Sequence, residues 1–167
     1  NALASPSTLG ISSAASFGAA LAITFGASLF GQVWLGTAAC AFCFALGVSA
    51  AVYWIGSREA MHPATLILAG IVMNFFFMAL QQFLQYRASP EVAQIISGWT
   101  FGNLERSTWT STAAAAAVTL GAALFLMRRS WALTALTVGE ERARSLGVPV
   151  ARLRVEVFAA SALLVAA

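Results

Sequence analysis

Glu140, Glu141, Arg142 and Arg144 crowd into one stretch, TVGEERARSLGVP at residues 137–149, and form the densest charge in an otherwise apolar chain. Thr137 and Glu140 have the T-x-x-E spacing of a capping box, in which the hydroxyl accepts from one orphan N–H and the carboxylate returns to the cap's own N–H. Glu140 and Glu141 then occupy the first turn, where the helix dipole favours negative charge, and Glu140 precedes Arg144 by four residues in the favourable order. Gly147 and Pro149 supply a stop. The spacing predicts about two turns of helix opening at Thr137. A charged helix of that length cannot stand alone in water, because nucleation costs more than so few hydrogen bonds return. It must rest on neighbouring helices or on another protein.

A second polar set runs through an apolar segment. Asn74, Met78, Gln81 and Gln85 recur at steps of four, three and four. A helix brings these three amides onto one face, while Phe75, Phe76, Phe77, Leu80, Phe83 and Leu84 crowd the rest. Amides facing lipid would be costly, so the stripe faces another helix as glue or a watery path as lining, and residue chemistry leaves both readings open. Cys40 and Cys43 have C-x-x-C spacing but lie mid-span with no other cysteine and no nearby histidine, and read as small apolar filler. His62, the single histidine, reads as a solvated residue beside Pro63. Arg152 and Glu156, four apart, read as a structural pair rather than a proton carrier. The sequence contains no G-x-S-x-G, G-x-x-x-x-G-K-[ST] or H-E-x-x-H motif and no His/Cys/Asp cluster. No catalytic residue, metal site or cofactor is expected.

The elements that must position these residues follow from composition. Of 167 residues, 60% are hydrophobic and 9% charged, against about a quarter charged in soluble domains, so the surroundings that suit this chain are lipid. Its nine arginines and six glutamates gather between apolar runs, which argues against a nucleic-acid surface. The apolar runs predict five spans, approximately 9–30, 33–56, 64–86, 109–127 and 150–167, the last cut short. Ala14, Gly18, Ala22 and Gly26 give the first span a face for close packing. Trp34 at one end of the second and Tyr53 and Trp54 at the other mark two interfaces. Residues 87–108 are too polar to cross; Pro90 to Ser97 reads as a short interfacial helix ended by Gly98, with Trp99, Phe101 and Trp109 as an aromatic belt. Six of the nine arginines lie between Arg128 and Arg154. Arginine-rich short loops stay inside, so the 131–149 loop is expected in the cytoplasm and 87–108 outside. The expected fold is one all-α domain, a polytopic transmembrane helical bundle. The sequence opens without Met and stops within an apolar run, and reads as an interior piece of a larger protein.

Four stretches in order carry a family resemblance. Asn1-Ala2-Leu3-Ala4 with Leu9-Gly10-Ile11-Ser12-Ser13-Ala14-Ala15 resembles N-P-L-A-x-P-x-x-L-G-[VI]-S-x-G-A, with Ala2 for the usual proline and Ala14 for a glycine. Leu66-Ile67-Leu68-Ala69-Gly70-Ile71 resembles an L-L-L-A-G span start. Ser89-Pro90-Glu91, Gly98 to Leu104 and Ser107-Thr108-Trp109 resemble D-P-E…W-x-x-G-S-L…W, with Ser89 for aspartate. Gly139 to Val148 resembles G-E-x-x-A-x-x-L-G. The chain thus resembles the FecCD-type permease family, the membrane subunits of bacterial ABC importers for iron-siderophore, haem and vitamin B12.

The resemblance implies a ten-span subunit of the bacterial cytoplasmic (inner) membrane, of which this chain matches spans three to six and the start of seven. It implies a second permease subunit, a cytoplasmic ABC ATPase pair and an external substrate-binding protein as partners. Glu140, Glu141, Arg142, Ala143, Arg144, Leu146 and Gly147 match the loop that seats in the ATPase. The third span here matches a path-lining span, which favours lining for Asn74, Met78, Gln81 and Gln85. Pro63 and Ala64 fall at the inner gate, and Arg87 and Arg106 become candidates for contact with the binding protein. The function expected is an ATP-driven importer permease for iron-siderophore or a related chelate. An ion-coupled secondary transporter or channel is the alternative, weakened because spans one to four hold no carboxylate. A helical membrane anchor is the third reading.

Overall fold

Small residues set the centre of the fold. The computed structural model describes residues 9–58, 63–102 and 108–166, apart from the side chains of residues 56–58, 63 and 140. The elements are α1 (Ile11–Phe25), α2 (Val33–Arg58), α3 (Pro63–Arg87), α4 (Pro90–Phe101), α5 (Trp109–Arg128), α6 (Ser130–Thr137), α7 (Glu140–Ser145) and α8 (Val150–Ala166). No strand occurs among the described residues; a single bridge, Leu29 to Gln32, closes the α1–α2 turn. Helix α1 is the hub, packing on α2, α3, α4 and α8. Ala14, Ala15 and Ala19 are fully buried, and a Cβ added at Gly18 would stand 2.7 Å from the Cys40 carbonyl oxygen. That close approach is what a small-residue stripe permits between helices in lipid. Phe17, Phe44 and Phe77, one from each of α1, α2 and α3, meet at centroid distances of 5.2, 5.6 and 6.2 Å.

Helices α2, α3 and α5 are long and apolar enough to cross a membrane. The first expected span, 9–30, is shorter than its hydropathy implies: α1 has 15 residues, about 22 Å against a hydrocarbon core of about 30 Å. Gly26 ends it at φ 63, with Ala27 N–H donating to Ala22 at 2.8 Å and Gly26 N–H to Ile23 at 3.3 Å, the paired bonds of a Schellman stop. Gly26 therefore terminates the helix instead of extending its packing face. At the other end Gly10 adopts φ 75, and a Cβ there would stand 2.9 Å from the Asn74 backbone nitrogen and 3.0 Å from the Gly70 carbonyl oxygen. Helix α1 thus begins beside the middle of α3.

Two further expectations are corrected. Helix α4 continues through Gly98 to Phe101 and stops at Gly102, φ 82. Two residues separate it from α3, and it folds back so that Thr100 meets Gln81, with Ile96 1% exposed and Trp99 packed on the main core instead of serving a belt. Between α5 and α7 the chain forms a further short helix, α6. Helix α8 packs on α2, with Phe158 against Tyr53 and Ala162 and Ala166 in one cluster with Ala41 and Ala45. The two run antiparallel, so α8 starts at the end of the bundle where α2 finishes.

Candidate functional site

The 137–149 stretch does not begin with a capping box. Thr137 is the last residue of α6, and its hydroxyl donates to the Thr134 carbonyl at 2.7 Å. The break comes at Gly139, φ 121, which caps α7 with no side-chain bond. Only glycine readily takes that φ, so the chain can turn sharply there without the threonine. The stop is the expected one. Gly147 sits at φ 80, its N–H donates to Arg144 at 3.0 Å, and Val148 N–H donates to Ala143 at 3.0 Å, a complete Schellman motif.

Helix α7 leans on its neighbours through one side only. Ala143 and Val148 are buried with Ala135 of α6 and Val150 and Leu153 of α8, and Leu133, Leu136 and Val157 pack around them. This apolar seat holds a six-residue helix that could not persist alone. Glu141, Arg142, Arg144, Ser145 and Leu146 are exposed. Leu146 at 60% and Val138 at 58% flank the charges as outward apolar knobs. The result is a small platform, seated behind and charged in front. Glu140 heads α7.

The polar stripe on α3 has divided roles. At 100° per residue its four members fall within about 60° of one another, along one margin of the face that meets α1 and α4. Gln81 is 8% exposed and donates through Nε2 to Thr100 Oγ1 at 2.9 Å, whose hydroxyl donates on to the Ile96 carbonyl at 2.9 Å. Gln81 is therefore interhelical glue. Asn74 and Gln85 are half-buried, and Met78 is 42% exposed. An open apolar groove of about 500 Å³ runs between α2 and α3, lined by Cys43, Phe44, Met73 and Phe76 among others, and none of the four stripe residues lines it.

The remaining expected residues are dispersed. Ala64 is exposed near the start of α3, next to Pro63 at its first position. Arg87 ends α3 and is exposed. Arg106 and His62 lie outside the described residues. Ser89 caps α4, accepting from Val92 N–H at 3.4 Å. Hydrogen bonds from backbone N–H and from the Ser89 hydroxyl hold the Glu91 carboxyl below the usual glutamate range. Cys40 and Cys43 are free thiols, and no group of three potential metal ligands occurs among the described residues.

The sequence reading missed one constellation. Glu156 Oε1 accepts from Arg152 Nε at 3.1 Å, as its spacing allows, and also from Arg129 Nη2 at 3.2 Å, 27 residues away. Nothing local in the sequence marks the second bond, because it depends on α8 returning beside the α5–α6 junction.

Comparison with known proteins bears on this arrangement of a seated platform below apolar helices. The chain is 36% identical over 162 residues to a Methanocaldococcus jannaschii protein assigned as an ABC transporter permease, covering 92% of this chain and 46% of that one. It is 33% identical over 168 residues to the cobalamin import system permease protein of Halobacterium salinarum, covering 100% of this chain and 44% of that protein. A solved chain from an inward-facing metal-chelate type ABC transporter superposes with a TM-score of 0.82 at 32% identity, covering 99% of this chain and 52% of that one. The chain thus spans about half the length of the relatives it matches. The pattern of the FecCD transport family extends over residues 1–167, so it takes in the α7 platform, the α3 stripe and the α1 hub together, and the chain belongs to that family.

Proposed function

We propose that this chain is part of the permease subunit of an ATP-driven importer, carrying a metal chelate such as an iron-siderophore, haem or cobalamin across the bacterial cytoplasmic membrane. The observation that carries the reading is the α7 platform, whose apolar back is fixed to α6 and α8 while Glu141, Arg142, Arg144 and Leu146 face outward. Such a platform accepts a push from a docked protein and passes it to α8 and α6 as a rigid body. The docked protein is a cytoplasmic ATPase pair that supplies the energy, since this chain's sequence holds no phosphate loop of its own.

Met78, Asn74 and Gln85 line the transport path along α3, while Gln81 holds α4 in place. Pro63 and Ala64 lie at its inner mouth, Arg87 and Arg106 meet an external binding protein, and a second permease subunit completes the path. An ion-coupled mechanism has less support. Glu156, the sole carboxylate within the apolar helices among the described residues, accepts from two arginines as a structural ion pair.

The deciding experiment places Arg142→Cys in the full subunit and seeks a disulfide to cysteines in the partner ATPase. A crosslink that forms in the assembled complex and is altered by ATP is expected. Uptake that persists without nucleotide and stops when the ion gradient collapses would overturn the reading.

A further inference from the structure

We propose that Glu156 is a positioning residue: it clamps the bend between α5 and α6 to α8, so that α5 and α8 move together when α7 is pushed. The inference rests on the coupling reading above and adds a residue and a route to it. Arg129 is the one residue between α5 and α6, at φ −96 and ψ 0, and its side chain bonds Glu156 at 3.2 Å. Its guanidinium also lies 5.8 Å from the centre of the Phe125 ring on α5. The Glu156 side chain is 19% exposed, against 41% for Arg129 and 77% for Arg152. The inter-helix bond is therefore better shielded than a surface ion pair.

The placement explains what the bond does. Among the described residues, the principal contacts of α5 are with α8 and α6, and its spanning segment is otherwise almost bare, with 6% buried. Apolar contacts between helices allow sliding, because dispersion is non-directional. A charge-assisted bond of fixed length resists that shear. Arg129, Arg152 and Glu156 also share a small cavity of about 60 Å³ with Ala132, Val148, Pro149 and Leu153. The clamp thus abuts the turn by which the chain leaves α7. The two arginine arms are unequal: Arg152 to Glu156 lies within α8 and joins no two elements, whereas Arg129 to Glu156 joins α8 to the bend.

The test uses the complete permease assembled with its ATPase and binding protein in lipid nanodiscs and liposomes. With Cys40 and Cys43 first replaced by alanine, spin labels at Leu124→Cys on α5 and Val155→Cys on α8, both exposed positions, report the separation of the two helices by pulsed EPR. One unchanged distance with and without ATP is expected, and a distance that shifts between those states overturns the clamp without any substitution at it. Arg129→Gln and Glu156→Gln are expected to broaden that distance and to lower cargo uptake about three- to tenfold while ATP hydrolysis stays within about twofold. Arg152→Gln is expected to leave uptake within about twofold of the unsubstituted complex. Equal losses from Arg152→Gln and Arg129→Gln, or full uptake by Arg129→Gln, overturn the clamp alone. An unsubstituted complex with no ATP-dependent uptake overturns the transport reading itself.

Discussion

A glutamine in an apolar helix has to give its amide to something, and Gln81 gives it to Thr100. Replacing it with leucine removes one inter-helix bond while the Thr100 hydroxyl keeps the Ile96 carbonyl. Gln81→Leu is therefore expected to cost about 0.5–1 kcal/mol, read as a lower unfolding midpoint of the purified permease, with uptake per folded molecule unchanged. Uptake lost without a stability change would return Gln81 to the path. The periodicity of the stripe was legible in the sequence, but the partner of each amide was not, because α4 had to turn back before Thr100 could reach α3. At the other end of α4, Glu91 illustrates a readable residue: Ser-Pro-Glu spells a helix start, and the structure has Ser89 capping it. The Glu91 pKa is lowered in the fold, so its contribution is present above the unfolded pKa, about 4.3, and is lost as pH falls through the lower folded value. Carbon-13 titration of the Glu91 carboxyl should give a midpoint below the ordinary one, and Ser89→Ala should move it upward.

Elements owe their ends here to glycine more than to hydropathy. Gly26 and Gly147 both close Schellman motifs at positive φ, yet only Gly147 was readable as a stop. Gly26 continued a run of small residues at helical spacing, and periodicity alone cannot separate a packing glycine from a terminating one. The capping box at Thr137 failed for a related reason. Thr137 had a better use inside α6, and Gly139 could break the chain by backbone conformation alone. Two glycines within helices make a paired prediction. Gly18→Ala places a Cβ 2.7 Å from the Cys40 carbonyl oxygen, whereas a Cβ at Gly47 meets nothing within 4 Å. Gly18→Ala should destabilise the permease by about 1–3 kcal/mol through overpacking. Gly47→Ala should stabilise it by about 0.5–1 kcal/mol through helix propensity. Opposite shifts of the thermal midpoint are the expected result, and equal shifts would mean that α1 and α2 are not in close contact at Gly18.

Across the whole molecule, charge and topology give two independent statements about sidedness. The arginine count predicts that the 128–154 region lies inside. The fold alone, with no reference to charge, puts the start of α8 at the end of the bundle where α2 finishes, since Phe158 meets Tyr53 and Ala162 and Ala166 share a cluster with Ala41 and Ala45. The α7 platform and the end of α2 therefore share one side, and the α3–α4 turn, one long helix away, lies on the other. That end-to-end arrangement was legible because a long apolar helix has few ways to reverse. The seating of α7 was not, since Ala143 and Val148 acquire their apolar partners only when α6 and α8 converge. The joint prediction is a labelling asymmetry in the complete permease, with Cys40 and Cys43 first replaced by alanine. A membrane-impermeant maleimide applied to spheroplasts should modify Ser89→Cys directly and Arg142→Cys only after permeabilisation. Labelling of both from the same side would break the antiparallel order of α2, α3 and α8. Labelling with the two sides exchanged would keep that order but move the platform away from the cytoplasm, where no ATPase could dock on it.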